Sequence, residues 1–142
     1  MQIKLATKKD IKSIVDITKN DGSNRPLNPK NIENYLLKGD MYFLVCNPLP
    51  IGIAKLAFNK DEAELFVISV KKKFQNSGIG KALLEYVEKE SIKLNKRKLY
   101  AHVTTDNRKA IRFYYKNGFK KICYVDNLYK KGDKYIKLVK LL

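Results

Sequence analysis

Apolar residues in this chain fall into short strand-like runs and one-sided helical repeats. Residues 64–70, ELFVISV, are apolar and β-branched, which suits a strand covered on both faces. Residues 71–74 break that run. After a turn bearing Gly78 and Gly80, Ile79, Leu83, Leu84 and Val87 recur at the spacing of one helical face. They predict a helix to about residue 94, some 24 Å long at about 1.5 Å per residue. Leu99, Ala101 and Val103 then alternate with Tyr100 and His102 as another strand. Strand, long helix and strand form a crossover unit. The two strands should therefore run parallel, with a right-handed connection.

The flanking segments read in the same terms. Ile3 and Leu5 mark a short first strand. Thr7 can cap a helix over 8–19 with Ile11, Ile14, Val15 and Thr18 on one face. Residues 20–28, NDGSNRPLN, are a loop and a candidate substrate lid. Asn28-Pro29 opens a short helix to about residue 38, stopped by Gly39. Runs 41–46 and 51–58 form a hairpin across Asn47-Pro48-Leu49-Pro50, and a second turn at 59–61 leads into the strand at 62–70. Asp106 or Asn107 caps a further helix, Gly118 stops it, and Phe119 clamps its end. Two closing strands, 120–125 and 135–141, flank a loop at 126–134. There are no internal repeats.

Composition narrows the class. A chain of 142 residues suffices for one domain with a core and is short for two. It is 44% hydrophobic, and no apolar stretch approaches the roughly 18 residues of a membrane span. No secretory signal opens it, and a cytoplasmic protein is expected. Cys46 and Cys123 sit singly in strand-like runs and read as small buried apolar residues. No metal site is expected. The net charge of +16 has two readings. One is a nucleic-acid or ribosome surface. The other is a lysine-rich background on solvated faces. The second is favoured: the clusters at 8–9, 71–73, 96–98, 120–121 and 130–131 fall in loops, with no RNA- or DNA-binding motif.

The glycine turn carries the chemistry. Gly78 and Gly80 lack a Cβ, so a ligand can lie against the backbone there. The first N–H groups of the following helix have no partner inside it, and the dipole favours an anion. The turn is a phosphate or pyrophosphate site by these criteria. It is not a Walker loop, since Gln75 and Ala82 stand where Gly and Ser/Thr are needed. It is not a dinucleotide fingerprint, since Leu83 replaces the third glycine.

Strand, then Gln75-x-x-Gly78-x-Gly80, then helix resembles the acetyl-CoA-binding motif of the GNAT acetyltransferase superfamily. Asn107, Ala110, Ile111, Phe113-Tyr114 and Gly118-Phe119 resemble that family's N-x-x-A-I-x-F-Y-x-x-x-G-F helix. The two motifs span about residues 62–119; the N-terminal part matches loosely.

The resemblance implies a single α/β domain over 1–142. Its sheet would be mixed, mostly antiparallel, of about seven strands flanked by helices, with a splayed parallel pair. It implies an acetyl-CoA-dependent N-acetyltransferase acting on a primary amine by direct attack in a ternary complex. Alternatives are a non-catalytic acyl-CoA-binding module or a basic nucleic-acid-associated protein. Backbone N–H groups at Ile68, Ser69 and Val70 would hold the pantetheine arm and polarise the thioester. Gln75, Asn76, Ser77, Gly78, Ile79, Gly80 and Lys81 would hold the diphosphate, with the lysines at 71–73 attracting it. Asn107 matches a cofactor contact but also reads as a cap. Tyr114 matches the tyrosine that protonates the leaving sulfur, and a packed core residue is the competing reading. For the base, Glu64 lies at the spacing of family members that use a strand glutamate through water. The rival is His102, where members acting on protein N-terminal amines place a glutamate; histidine's ordinary pKa lies near neutrality. Ordered water is the third possibility. Neither cysteine matches a motif position, so no covalent route is expected. The cationic surface disfavours polyamine acceptors. Substrate contacts are expected at 20–31, Tyr42 and 124–134, in a monomer or homodimer.

Overall fold

A computed structural model describes residues 1–23 and 26–142. Strand β1 (Gln2–Leu5) leads to Thr7, which opens a capping box. Its hydroxyl accepts from the Lys9 N–H at 3.3 Å, and Asp10 accepts from the Thr7 N–H at 2.9 Å. The predicted helix over 8–19 therefore begins as a 3-10 turn, Lys8–Asp10, and becomes α1 only over Ile11–Lys19. Asn28 caps α2 (Pro29–Leu37), its side chain accepting from the N–H groups of Lys30 and Asn31. Strands β2 (Met41–Cys46), β3 (Pro50–Asn59) and β4 (Glu62–Val70) follow as an antiparallel meander. Helix α3 (Ile79–Lys93) crosses to β5 (Lys98–Thr104), and α4 (Arg108–Lys116) precedes β6 (Lys120–Asp126) and β7 (Lys134–Leu141).

All seven strands join one sheet in the order β1-β2-β3-β4-β5-β7-β6, with β4 and β5 the parallel pair. The last strand inserts between β5 and β6, which leaves β6 as an edge. The central strands are buried on both sides. Phe43, Val45, Ala54, Leu56, Ala63 and Leu65 pack with Leu83, Leu84 and Val87 of α3. Tyr42, Leu44 and Ile53 pack with Ile14 and Ile17 of α1 and Ile32 of α2. That two-sided burial explains why β2 reads as an unbroken apolar run.

The parallel pair opens partway along its length. Its ladder runs from Glu62↔Lys98 to Leu65↔Ala101 and stops. Beyond that point β4 stays with β3, through Val67↔Lys55 to Gly52↔Val70, while β5 stays with β7, through His102↔Lys137 to Thr104↔Tyr135. The register of β4 on β3 shifts between Lys55 and Leu56, so that Phe66 is the extra residue of a bulge. A bulge bends its strand and raises the local twist. Here it falls where β4 leaves β5.

Three expectations need correction. Strand β4 is buried on both faces only at Ser69 and Val70: Glu62 and Glu64 are half-buried opposite Ala63 and Leu65, Phe66 is exposed, and Val67 and Ile68, bordering the opening, are half-buried. Cys123 is exposed on the edge strand β6, and Cys46 is half-buried; both are free thiols. The predicted lid at 20–28 includes Asn24 and Arg25, which lie outside the described residues. Its described flanks are tied down, Leu27 N–H to Thr18 Oγ1 at 2.9 Å and Ser69 Oγ to Asp21 Oδ2 at 2.7 Å.

Candidate active site

The opening between β4 and β5 is continuous with a cavity of about 480 Å³. Phe66, Val67, Ile68 and Ser69 form one wall, and His102, Val103 and Thr104 the facing one. Asn107, Ala110 and Tyr114 of α4 close the inner end, and Tyr35, Tyr42, Lys55, Tyr129 and Tyr135 line the outer end. On the side facing β5, the β4 backbone beyond Leu65 has no strand partner. Buried backbone polar groups need partners. An extended ligand arm in this gap would meet them.

The glycine turn follows the C-terminal end of β4. Gly78 precedes α3 at φ +86°, a left-handed conformation open to glycine at little cost, and a Cβ there would project into open space. A Cβ at Gly80 would lie 3.4 Å from the Phe113 ring of α4, within ordinary contact. Among the described residues, no backbone N–H from Asn76 through Lys81 donates to another backbone group outside the helix ladder. Asn76, Ser77, Gly78 and Lys81 are exposed, and Ile79 is buried in the core. These N–H groups at a helix start suit a diphosphate.

Gln75 is a brace. Its amide donates to the carbonyls of Asp21 at 2.8 Å and Val70 at 2.9 Å, and its oxygen accepts from Lys109 Nζ at 2.9 Å. It ties the loop after α1, the end of β4 and α4 into one corner. Of the lysines at 71–73, Lys71 pairs with Asp16 at 2.7 Å, while Lys72 and Lys73 are exposed beside the turn.

The structure brings together the two candidate bases. Glu64 Oε1 lies 2.6 Å from His102 Nδ1 across the parallel pair. His102 lines the cavity; Glu64 is not among the lining residues, though its charge reaches Tyr129 and Lys55 there. A carboxylate at Nδ1 selects the tautomer with the proton on that nitrogen and leaves Nε2 as acceptor.

Tyr114 is 5% exposed, with its ring edge-on to Phe113 at 5.4 Å and Phe119 at 5.0 Å. Its hydroxyl has no hydrogen-bond partner among the described residues, yet no buried side-chain N or O there is left unsatisfied. The phenol oxygen therefore faces the cavity that Tyr114 lines. Burial pushes its pKa well above the ordinary phenol value. Asn107 both caps α4, accepting from the Ala110 N–H at 3.2 Å, and lines the cavity. Tyr115 is exposed on another face of α4.

Tyr129 falls in the expected 124–134 segment, whereas Lys55, Phe66 and Tyr135 escape sequence reasoning. Lys55 and Phe66 lie in strand-like runs whose period gives no functional signal. Tyr129 and Tyr135 meet edge-on at 5.3 Å, and Tyr129 is pushed up to about 12 by burial and then by the Glu64 carboxylate. Asp133 holds the loop that carries Tyr129, accepting from the N–H groups of Leu128, Tyr129 and Lys130. Among the described residues, no group of three or more His, Cys, Asp or Glu could hold a metal ion, and no helix is long and apolar enough to cross a membrane.

Comparison with known proteins places this architecture. A family model described as Acetyltransferase (GNAT) family matches residues 10–119. The [Ribosomal protein bS18]-alanine N-acetyltransferase of Escherichia coli (strain K12) is 37% identical over 73 residues, 51% of this chain and 49% of that protein. The uncharacterized protein YxbD of Bacillus subtilis (strain 168) is 34% identical over 70 residues, 49% of this chain and 43% of that protein. The chain thus spans about half the length of the relatives it matches by sequence. Among solved structures, the ribosomal-protein-S18-alanine N-acetyltransferase from Escherichia coli superposes with TM-score 0.86 at 24% identity, over 99% of this chain and 92% of that one. The protein yncA from Salmonella typhimurium, solved with its cofactor acetyl-CoA, gives TM-score 0.78 at 20% identity, over 100% of this chain and 94% of that one.

Proposed function

The chain belongs to the GNAT acetyltransferase family, and on that premise we propose that it transfers an acetyl group from acetyl-CoA to a primary amine by direct attack in a ternary complex. One observation carries the reading. The parallel pair opens beyond Leu65↔Ala101 into a cavity bounded by an unpartnered strand edge, a histidine and a buried phenol. Residues 1–142 act as one domain, as a monomer or homodimer. Two free cysteines suit a reducing cytoplasm.

Each residue present fits a share of the work. The N–H groups from Asn76 through Lys81 would hold the diphosphate, and Lys72 and Lys73 would draw it in. Acetyl-CoA supplies a thioester whose carbonyl accepts the amine nitrogen as the carbon–sulfur bond breaks. The free β4 edge at Ile68, Ser69 and Val70 would polarise that carbonyl. His102 Nε2 takes the amine proton while Glu64 holds the imidazole tautomer. This assigns the two carboxylate-and-imidazole candidates complementary roles, base and positioning residue.

Tyr114 is the hydrogen-bond donor to the departing sulfur. Its raised pKa keeps the proton on the phenol throughout the neutral range. The same shift makes complete transfer to a thiolate uphill, since a free thiol has a pKa of about 8.5. Tyr114 thus stabilises developing sulfur charge by hydrogen bonding, and solvent supplies the final proton. The Escherichia coli relative acts, by its name, on an alanine of a ribosomal protein, which supports an amine acceptor.

The test is thioester release from acetyl-CoA, monitored with a thiol reagent, over small amines, amino acids and peptides. Amine-dependent release that drops sharply in Tyr114→Phe is the expected result. Acetyl-CoA binding without release to any amine would leave a non-catalytic acyl-CoA module. Failure to bind coenzyme A would end the reading.

A further inference from the structure

Lys55 stands in the outer wall of the cavity with its side chain 6% exposed. Its Nζ lies 3.2 Å from the Tyr35 ring centroid, 4.6 Å from Phe66 and 5.9 Å from Tyr42. Its paired carboxylate is Asp40, at 3.7 Å, and Glu64 adds a weaker attraction from beyond 4 Å. The Asp40 contact is an ion pair beyond hydrogen-bond range, and the ammonium makes no hydrogen bond within 3.5 Å among the described residues. An ammonium has three N–H donors. Ring faces attract its charge but offer only weak N–H···π acceptance, far short of a carboxylate or carbonyl. Burying a charge so loosely paired is costly, and burial lowers the Lys55 pKa from its ordinary value.

The unmet donors have one outlet. No fully buried side-chain nitrogen among the described residues lacks a partner, so Nζ keeps access to the cavity that Lys55 lines. Among the described residues, the other cation-forming side chain lining the cavity is His102, already held by Glu64. Asp21, the one acidic lining residue among those described, is engaged by Ser69. A single ammonium matches a singly charged carboxylate better than a phosphate dianion. The cage of rings, filled by Lys55 itself, leaves no place for a second cation.

We infer that Lys55 is a specificity-determining residue that selects amine acceptors carrying a carboxylate within reach of the reacting nitrogen. The inference rests on the acetyl-transfer reading of this cavity and adds the chemical class of its acceptor. The carboxylate can be the α-carboxylate of a free amino acid or an acidic side chain at a peptide N-terminus.

Two matched pairs separate those sources: alanine against alaninamide, and Glu-Ala-Ala-amide against Gln-Ala-Ala-amide. In the wild-type protein the carboxylate member of one pair should exceed its neutral partner about tenfold or more in kcat/KM, with the difference in KM. Lys55→Met should erase that preference while changing the neutral member less than threefold, and Lys55→Arg should keep it. A wild-type ratio below threefold in both pairs overturns the inference whatever the variants do. Equal loss on both members in a folded Lys55→Met protein also overturns it, since that is the signature of packing. If no amine in the panel is acetylated, the transfer reading fails separately. The same four compounds, read by thermal shift with coenzyme A present, then decide the carboxylate site: selective stabilisation by the carboxylate members supports it, and equal shifts within a pair refute it.

Discussion

Replacing Tyr114 with Phe removes one oxygen and keeps the ring. The ring packs edge-on to Phe113 and Phe119, and those contacts survive the change. The lost hydroxyl has no partner within the described residues, so no donor or acceptor is orphaned. Stability should therefore move by no more than about 0.5 kcal/mol, the scale of substitutions that break no packing or network. Catalysis should fall further. A hydrogen bond to a charged partner contributes about 1.5–3 kcal/mol net. Applied to a thiolate forming at the transition state, that is a loss of about 10-fold to 150-fold in kcat. The KM for acetyl-CoA should be nearly unchanged, because the bond strengthens only as the sulfur gains charge. Continuous thiol detection gives kcat, calorimetry gives coenzyme A binding, and a thermal melt gives stability. A kcat within threefold of wild type, in a protein that binds and melts normally, refutes the donor role. A fall in kcat matched by a fall in melting temperature assigns Tyr114 to the core.

Other perturbations test the remaining parts of the site. His102→Gln should cost about 10²- to 10⁴-fold in kcat, the usual range for a general base, and Glu64→Gln about tenfold. The double variant should be no slower than His102→Gln, read as a double-mutant cycle, because Glu64 acts through the imidazole; additive losses would show two independent roles. Gly78→Ala should destabilise the fold by about 1–2 kcal/mol from the left-handed φ of +86° and weaken coenzyme A binding in calorimetry; unchanged binding would remove the turn from the cofactor site. Burial, first of all, raises the phenols of Tyr42 and Tyr114 above their ordinary value, with Asp40 and Tyr35 adding to it at Tyr42. A folded pKa above the unfolded one gives stability that is complete below about pH 10 and is lost as pH rises past it. The melting temperature should thus fall from about pH 10 upward, less steeply in Tyr114→Phe; a flat profile would contradict the burial of both phenols.

Much of the fold was legible because its signals are local. The β4 strand, the glycine turn and α3 follow from β-branched runs, residues suited to positive φ and a one-sided apolar stripe, all within about 30 consecutive residues. The Asn107 cap and the Gly118 stop have the same character, with Gly118 at φ +92°. The 3-10 start before α1 was hidden, since Thr7 and Asp10 satisfy the same cap whether the first turn is tight or regular. Of the site, the turn came from its glycines at a helix start, and Tyr114 from the resemblance of its helix to the family motif. The two candidate bases read as rivals, because no local pattern joins residues that are 38 positions apart.

Chain pattern by itself thus determined the elements, the parallel crossover and the residues of the two motifs. Tertiary structure alone decided that β7 enters between β5 and β6, that Phe66 bulges where the parallel pair parts, that Glu64 meets His102, and that Lys55 lies among aromatic rings facing the cavity. The reason is physical. Alternation along a strand states which side chains share a face but not which strand lies alongside, and that choice is made by register and packing across the whole sheet.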